Sequence, residues 1–362
     1  MNIPFVDLGA QYQLIKTEID DVISKVLDQN IFIGGDWVSN FEKHFAAYLD
    51  VANCVSCANG TDAIEIALEA LGVGEGDEVL VPAYTWMSTA SAVSRVGAKP
   101  VFVDIHPDFY TMDVSKIEAK LTKHTKVILP VHFYGLPVDM NQIMTIAKKH
   151  NLYVIEDCAQ AHGASINGQK VGSFGNISTF SFFPGKNLGA YGDGGAIVTN
   201  SSDLADKAMV IARLGQRGKH NHVAIGRNSR LDSLHAAILD VKLKHLDNWI
   251  SQRQRVANWY FESLKNVFVK LPFSPSGFNH AFHLFVIQAD RRDELKVYLE
   301  QKGISTQIHY PKPLHQLGVF DEQGSFSVTE AMSSKLLSLP MYPELSKEEV
   351  EYVADAIREF YI

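Results

Sequence analysis

Four short apolar, β-branched runs lie between residues 78 and 157: EVLVPA (78–83), KPVFVD (99–104), KVILPV (126–131) and LYVIED (152–157). The segments between them, TWMSTASAVSRVG, DVSKIEAKLT and DMNQIMTIAKKH, carry apolar residues three or four apart. This alternation constrains the fold more than any other feature. Strands buried on both faces read as unbroken apolar runs, and a parallel pair needs a crossover, usually a helix, to return the chain. STFSFF (178–183) and GGAIVTN (194–200) add two more strands. The expected architecture is therefore α/β, with a mostly parallel mixed sheet.

Helix-rich sequence follows from Leu231 to Lys265 and suits a connector between domains. Beyond it, HLFVIQAD, the helical RRDELKVYLEQKG and ISTQIHY make a smaller α+β unit, closed by the amphipathic SKEEVEYVADAIREF. The expected division is a large domain over 1–245, including the N-terminal segment, and a small domain over 246–362. A chain of 362 residues is long enough for two such cores.

A net charge of −8 with no basic block argues against nucleic acid as a partner. The start, MNIPFVDLGAQYQLIK, shows no basic leader before an apolar run, and no segment reaches the ~18 apolar residues of a membrane span, so a cytoplasmic protein is expected. Cys54 and Cys57 form a C-x-x-C, but no second Cys/His pair follows at ligand spacing; they read as small buried thiols before a helix, and no metal is expected.

Lys186 stands in SFFPGKNLGAYGDGG (181–195), among five glycines and two phenylalanines, with no other cation. Such neighbours desolvate an ammonium and favour the neutral amine, which attacks carbonyls. The cofactor that most often exploits that chemistry is pyridoxal phosphate; the plainer alternative is a lysine in a glycine-rich surface turn.

Ligands of open α/β sheets bind beyond the carboxyl ends of the strands. Asp157 ends LYVIED, 29 residues before Lys186, and can pair with a protonated pyridine nitrogen or simply cap a loop. Gln160, three residues on, is within reach of the same ring and its phenolic oxygen. Gly60 and Thr61 open the amphipathic NGTDAIEIALEAL, where a helix amino terminus can receive a phosphate. Trp86 follows a strand and can stack on a heteroaromatic ring or fill the core. Ser181 offers a further phosphate hydrogen bond. RLGQRGKHNHVAIGRNSR (213–230), with Arg230, reads as an anion-facing loop or a solvated charge run. His309, Tyr310 and His315 in STQIHYPKPLHQ read as a polar substrate-lining loop, because no carboxylate or cysteine accompanies them at metal-ligand spacing.

The segments FVDLGAQY, NGTDAIEIAL, VPAYTWMSTASAV, VIEDCAQAHGA, FSFFPGKNLGAYGDGGAIVTN, GRNSRLDSLHAAIL and LSLPMYPELS resemble, nearly end to end, the DegT/DnrJ/EryC1/StrS sugar aminotransferases. The resemblance implies the aspartate-aminotransferase-like fold and a homodimer with shared active sites. It places pyridoxal phosphate on Lys186, Asp157 on the ring nitrogen, Gln160 on the phenolic oxygen and Trp86 on the ring face. Gly60, Thr61 and Ser181 match the phosphate cup, and Asn228 matches an asparagine that reaches the phosphate from the partner subunit. Substrate contacts are expected from Tyr191, Arg230, His309, Tyr310 and His315.

Dehydrating relatives carry histidine where this chain has Lys186, so transamination is expected, with L-glutamate as donor and a pyridoxamine phosphate stage. NLGAYGDGGA resembles enzymes that aminate C3 of a dTDP-6-deoxyhexose more than C4 enzymes, which tend to read T-T-GEGG. The product would be a 3-amino-3,6-dideoxyhexose for surface polysaccharide or a glycosylated metabolite. The alternatives are a C4 enzyme and, more remotely, a cofactor-binding regulator without turnover.

Overall fold

The computed structural model describes residues 1–320 and 324–362. Two helices open the chain, α1 (Leu8–Gln29) and α2 (Gly35–Leu49), followed by β1 (Asn53–Cys57) and α3 (Gly60–Ala70). The alternating region gives β2 (Glu78–Pro82), α4 (Met87–Arg95), β3 (Lys99–Val103), β4 (Thr125–Ile128), α5 (Met140–His150) and β5 (Tyr153–Asp157). A small ribbon, β6 (Ser165–Ile166) and β7 (Gln169–Lys170), precedes β8 (Ile177–Ser181), β9 (Gly195–Thr199), α6 (Ser202–Ala212), α7 (Ser233–Leu243) and α8 (Leu246–Ser263). The remainder supplies β10 (Val269–Lys270), β11 (Phe278–Asn279), β12 (Phe285–Ala289), α9 (Arg292–Gln301), α10 (Ser327–Ser333), β13 (Leu336–Leu339) and α11 (Lys347–Phe360).

The large sheet has the order β1-β9-β8-β5-β4-β2-β3. Pairing is parallel from β3 through β2, β4 and β5 to β8, while β9 is antiparallel to both its neighbours, so β9 alone runs against the rest. The carboxyl ends of β1, β2, β5 and β8 therefore share one edge, and β9 starts from it. No described helix is long and apolar enough to cross a membrane.

Helix ends follow local chemistry. Asp139 caps α5, whose last turn holds Lys148, Lys149 and His150, each sign suited to its end of the dipole. Ser346 and Glu349 form a capping box on α11.

One core packs α3, α4 and α6 on the sheet, and a second gathers α8, α9 and α11 against β12 and β13. The chain passes between these bodies several times: Ile3 bridges Ile304, β11 pairs with β6, and Leu284, Val286 and Leu336 enter the first core.

Three local expectations change. DVSKIEAKLT forms two 3-10 turns, at Val114–Lys116 and Glu118–Lys120, instead of one helix; only Ile117 is buried there, too little apolar surface to hold a longer helix on the sheet. ISTQIHY contains no strand, only isolated bridges at Ile304 and Gln307. Cys54 and Cys57 lie on β1 itself, Cys57 fully buried and Cys54 partly; burial pushes both thiols up, which removes the thiolate a metal or a disulfide exchange would need.

Candidate active site

Successive side chains of a strand point to opposite faces, so β5 ends with Glu156 and Asp157 back to back. Asp157 is buried and accepts from Thr89 Oγ1 on α4 at 3.0 Å and from Ala159 N–H at 3.1 Å. Burial raises its pKa above the ordinary 3.8 against the opposing pull of those hydrogen bonds and of Lys186.

Lys186 follows β8 at the same sheet edge. Its turn is closed by Lys186 N–H to the Phe183 carbonyl at 2.9 Å and Ala190 N–H to the Phe182 carbonyl at 2.8 Å. Burial pushes the ammonium down to about 8, and Asp157 resists that drop. A neutral fraction far above that of an ordinary lysine suits an amine that must form a covalent link with a carbonyl.

Helix α3 begins beside this pair. Asn59 caps it, its side chain accepting from Asp62 N–H at 2.8 Å and its carbonyl from Ala63 N–H at 3.1 Å. The Gly60 and Thr61 N–H groups take no partner among the described residues, which leaves two donors at the positive end of the helix. A Cβ on Gly60 would lie 2.7 Å from that of Ser181, so only glycine lets the helix start approach β8 this closely. Ser181 Oγ accepts from Phe183 N–H at 3.3 Å, which leaves its hydroxyl proton to donate outward. Thr61 Oγ1 donates to Ser88 Oγ at 2.8 Å. The cradle fits a phosphate.

Gln160 is fixed from both ends: Oε1 accepts from Tyr134 N–H at 2.8 Å, and Nε2 donates to Tyr310 Oη at 3.2 Å. Trp86, at the start of α4, is 55% exposed with its ring 5.1 Å from that of Tyr310. Tyr310 lies close enough to Asp157 to feel its charge. His309 has its ring 5.5 Å from that of Tyr310 and Nδ1 2.8 Å from Ser338 Oγ, and burial, then the charge of Lys186, holds it down to about 4.

The other expected contacts lie apart within one chain. Asn228 and Arg230 are exposed, although Ser229 Oγ between them accepts from Ala58 N–H at 3.0 Å and ties their loop to the start of α3. Arg230 lines a cavity of about 220 Å³ with Gly34, Gly35, Ser56 and Arg213. Tyr191 is half-exposed beside Tyr12. His315 turns to Glu330, at 3.1 Å, and to the Phe326 ring, and none of its contacts is with the Lys186 group.

Several residues near the site escaped the sequence reading. His162 is buried between Phe180 and Phe182 with neither ring nitrogen partnered among the described residues; burial first, then the charge of Lys186, holds it down to about 3. His283 is also pushed well below its usual range and lies 3.3 Å from Asn187 Oδ1. A histidine two residues past Gln160 was the available signal for the first; a lone histidine in HLFVIQAD gave none for the second.

His132, Glu156 and Cys158 bring ligand-type atoms within 4.8 Å of one another, but their lone pairs are committed. His132 Nδ1 accepts from Val138 N–H, so its Nε2–H donates to Glu156 at 3.0 Å. Glu156 also accepts from Gly172, Phe174 and Gly175 N–H and from Ser178 Oγ. Burial keeps Cys158 a thiol.

An amine drawn toward neutrality, a buried acid with acceptor capacity to spare and an anion cradle at one sheet edge define a pyridoxal-phosphate-dependent aminotransferase of the aspartate-aminotransferase-like fold. Residues 13–358 match the DegT/DnrJ/EryC1/StrS aminotransferase family, and the chain belongs to it. It is 48% identical to a UDP-N-acetyl-3-dehydro-α-D-glucosamine 3-aminotransferase of Acidithiobacillus ferrooxidans, covering 98% of this chain and 97% of that protein. Identity is 47% to a pleiotropic regulatory protein of Geobacillus stearothermophilus, over 100% and 99%. It is 44% to a dTDP-3-amino-3,6-dideoxy-α-D-galactopyranose transaminase of Aneurinibacillus thermoaerophilus, over 99% of each. The crystal structure of DesV from S. venezuelae in complex with a ketimine intermediate superposes with a TM-score of 0.96 at 40% identity, over 99% and 98% of the chains. The chain is a sugar-nucleotide aminotransferase.

Proposed function

We propose that this enzyme transfers the amino group of L-glutamate to C3 of a nucleotide-linked 3-keto-6-deoxyhexose, the nucleotide being dTDP. The observation that carries the reading is the opposition of Lys186 and Asp157, one moved toward neutrality by burial and the other left with two hydrogen bonds, beside the free N–H groups of α3. Position 3 is supported by NLGAYGDGGA and by the position printed in the names of the A. ferrooxidans and A. thermoaerophilus relatives.

Bound pyridoxal phosphate supplies an electron sink for the carbanion next to the reacting nitrogen. Lys186 anchors the cofactor and, once released, moves the proton between the donor carbon and the cofactor. Asp157 holds the ring nitrogen protonated. Gln160 and Trp86 orient the ring, and Gly60, Thr61 and Ser181 receive the phosphate. The site is completed in a homodimer, where Asn228 of the partner subunit reaches that phosphate. Tyr191, Arg230, His309 and Tyr310 face the sugar nucleotide, and the protein works in the cytoplasm.

The test is spectroscopic. L-Glutamate should abolish the visible band of the cofactor-loaded protein, and dTDP-3-keto-6-deoxyhexose should restore it, with NMR of the product placing nitrogen at C3. Restoration only by a UDP-linked 3-keto-2-acetamido sugar would move the nucleotide assignment, and nitrogen at C4 would move the regiochemistry. A band that glutamate leaves unchanged would favour the regulatory reading that the G. stearothermophilus relative's name raises. Lys186→Ala should keep the fold and lose all turnover; full activity in that variant would sink the scheme.

A further inference from the structure

Helix α7 reads SLHAAILDVKL, and beyond its first residue, Ser233, its buried face is apolar except at Lys242, which is 1% exposed where the pattern calls for an aliphatic residue. Leu239 and Leu243 beside it pack with Leu188 and Ala190, residues of the turn that follows Lys186. The ammonium makes no salt bridge among the described residues; burial pulls it down to about 8, and the charge of Glu344, felt without contact, only partly opposes that drop. Its hydrogen bond is to the Gly189 carbonyl at 2.6 Å, and the Tyr191 ring centroid lies 4.9 Å away. An aliphatic side chain would fill the space without desolvating a charge, so the lysine answers a need of the turn.

That need is visible in the backbone. A Cβ on Gly189 would lie 2.3 Å from the Pro184 carbonyl oxygen, so the chain folds back on itself here as tightly as glycine allows. No backbone N–H among the described residues reaches the buried Gly189 carbonyl, and Lys242 satisfies it. Two residues earlier, Asn187 Nδ2 donates to the Ala281 carbonyl at 3.0 Å. The turn is thus anchored twice just after Lys186: at Asn187, which follows it directly, and at Gly189, three residues on.

We propose that Lys242 is a positioning residue for the active site, its buried ammonium fixing the Gly189 carbonyl and the Tyr191 ring so that the Lys186 amine keeps its place. This rests on Lys186 being the lysine that takes the cofactor. Lys242 touches neither cofactor nor substrate in this scheme; it acts through the turn.

Lys242→Met, Lys242→Gln and the parent protein are prepared cofactor-free, and uptake of pyridoxal phosphate is followed by absorption across pH. The parent's uptake rate should inflect near the Lys186 value of about 8. With the turn released and water admitted, the Met variant should inflect at higher pH, toward the ordinary 10.5, and take up cofactor about 10- to 100-fold more slowly at pH 7.5. The Gln variant keeps a donor for Gly189 and should shift in the same direction by less. In the loaded proteins, kcat should fall more than KM for L-glutamate rises. Should the Met variant not fold, the Gln variant alone decides. Parent-like inflection and uptake in the folded variants would overturn the proposal, even with a lowered Tm, because that pattern describes a purely structural lysine. A parent protein that takes up no pyridoxal phosphate would remove the Lys186 assignment itself, and the Lys242 proposal with it.

Discussion

Glu156 and Asp157 are adjacent carboxylates, both buried, at the end of one strand, and they behave in opposite ways. Glu156 collects five donors, from His132, Ser178 and three backbone N–H groups, and is held below its ordinary pKa although burial works to raise it. Asp157 collects two and is raised. Depth is the same for both, so the number of donors decides the sign. The unfilled acceptor capacity lies on the face where Lys186, α3 and Gln160 converge, and the filled one lies behind it. A site of this kind consists of a saturated support and an unsaturated front on the two faces of one strand.

The contrast can be broken from the support side first. Glu156→Ala would leave His132 Nε2–H, Ser178 and three N–H groups, that of Gly172 buried and those of Phe174 and Gly175 part-buried, without an acceptor, and should cost about 3–5 kcal/mol in a urea unfolding measurement. A loss under about 1 kcal/mol would mean the network is dispensable and the contrast has no energetic content. On the front, Asp157→Asn should leave the cofactor-free protein within about 1 kcal/mol of the parent and lower transamination at least about 10²-fold. Unimpaired turnover would place the ring-nitrogen acid elsewhere.

The smallest effect is a pair of opposing pH slopes. Asp157 has a raised native pKa, so the folded cofactor-free protein binds more protons than the unfolded one above the ordinary 3.8; this group's contribution falls as pH rises from there through the native value. Glu156 has a lowered native pKa, so its contribution is complete above the ordinary 4.5 and is lost as pH falls through the native value. Subtracting the stability of Asp157→Asn from that of the parent across pH 3 to 8, by urea unfolding, isolates the first slope. A difference that rises with pH would reverse the assignment.

The front was legible in the sequence because its pieces are local. Lys186 in a glycine-rich turn, Asp157 at a strand end and Gly60–Thr61 at a helix start each announce themselves within a few residues. The support was not legible. Glu156 meets Gly172, Phe174 and Ser178 only after β6 and β7 have folded back, and Thr89 reaches Asp157 across 68 residues. β1 was hidden for another reason: NCVSC is short and half polar, and it is a strand because the antiparallel β9 pairs with it. Lys242 looked like one more charged residue of a helical stretch; only its burial beside Gly189 separates it from its neighbours.

β9 carries one more consequence. Because it runs back through the sheet between β8 and β1, the segment bearing Lys186 is an arch with both feet set in hydrogen-bonded strands, Ser181 opposite Gly195 on one side and Cys57 opposite Gly195 on the other. Such an arch cannot swing open as a lid. In the transamination proposed above, where the donor frees the lysine once and the link re-forms after the acceptor has reacted, the travel would belong to the four-carbon side chain alone: the backbone is a fixed pier, the amine swings on a short tether, and donor and acceptor sugar would take turns at one berth.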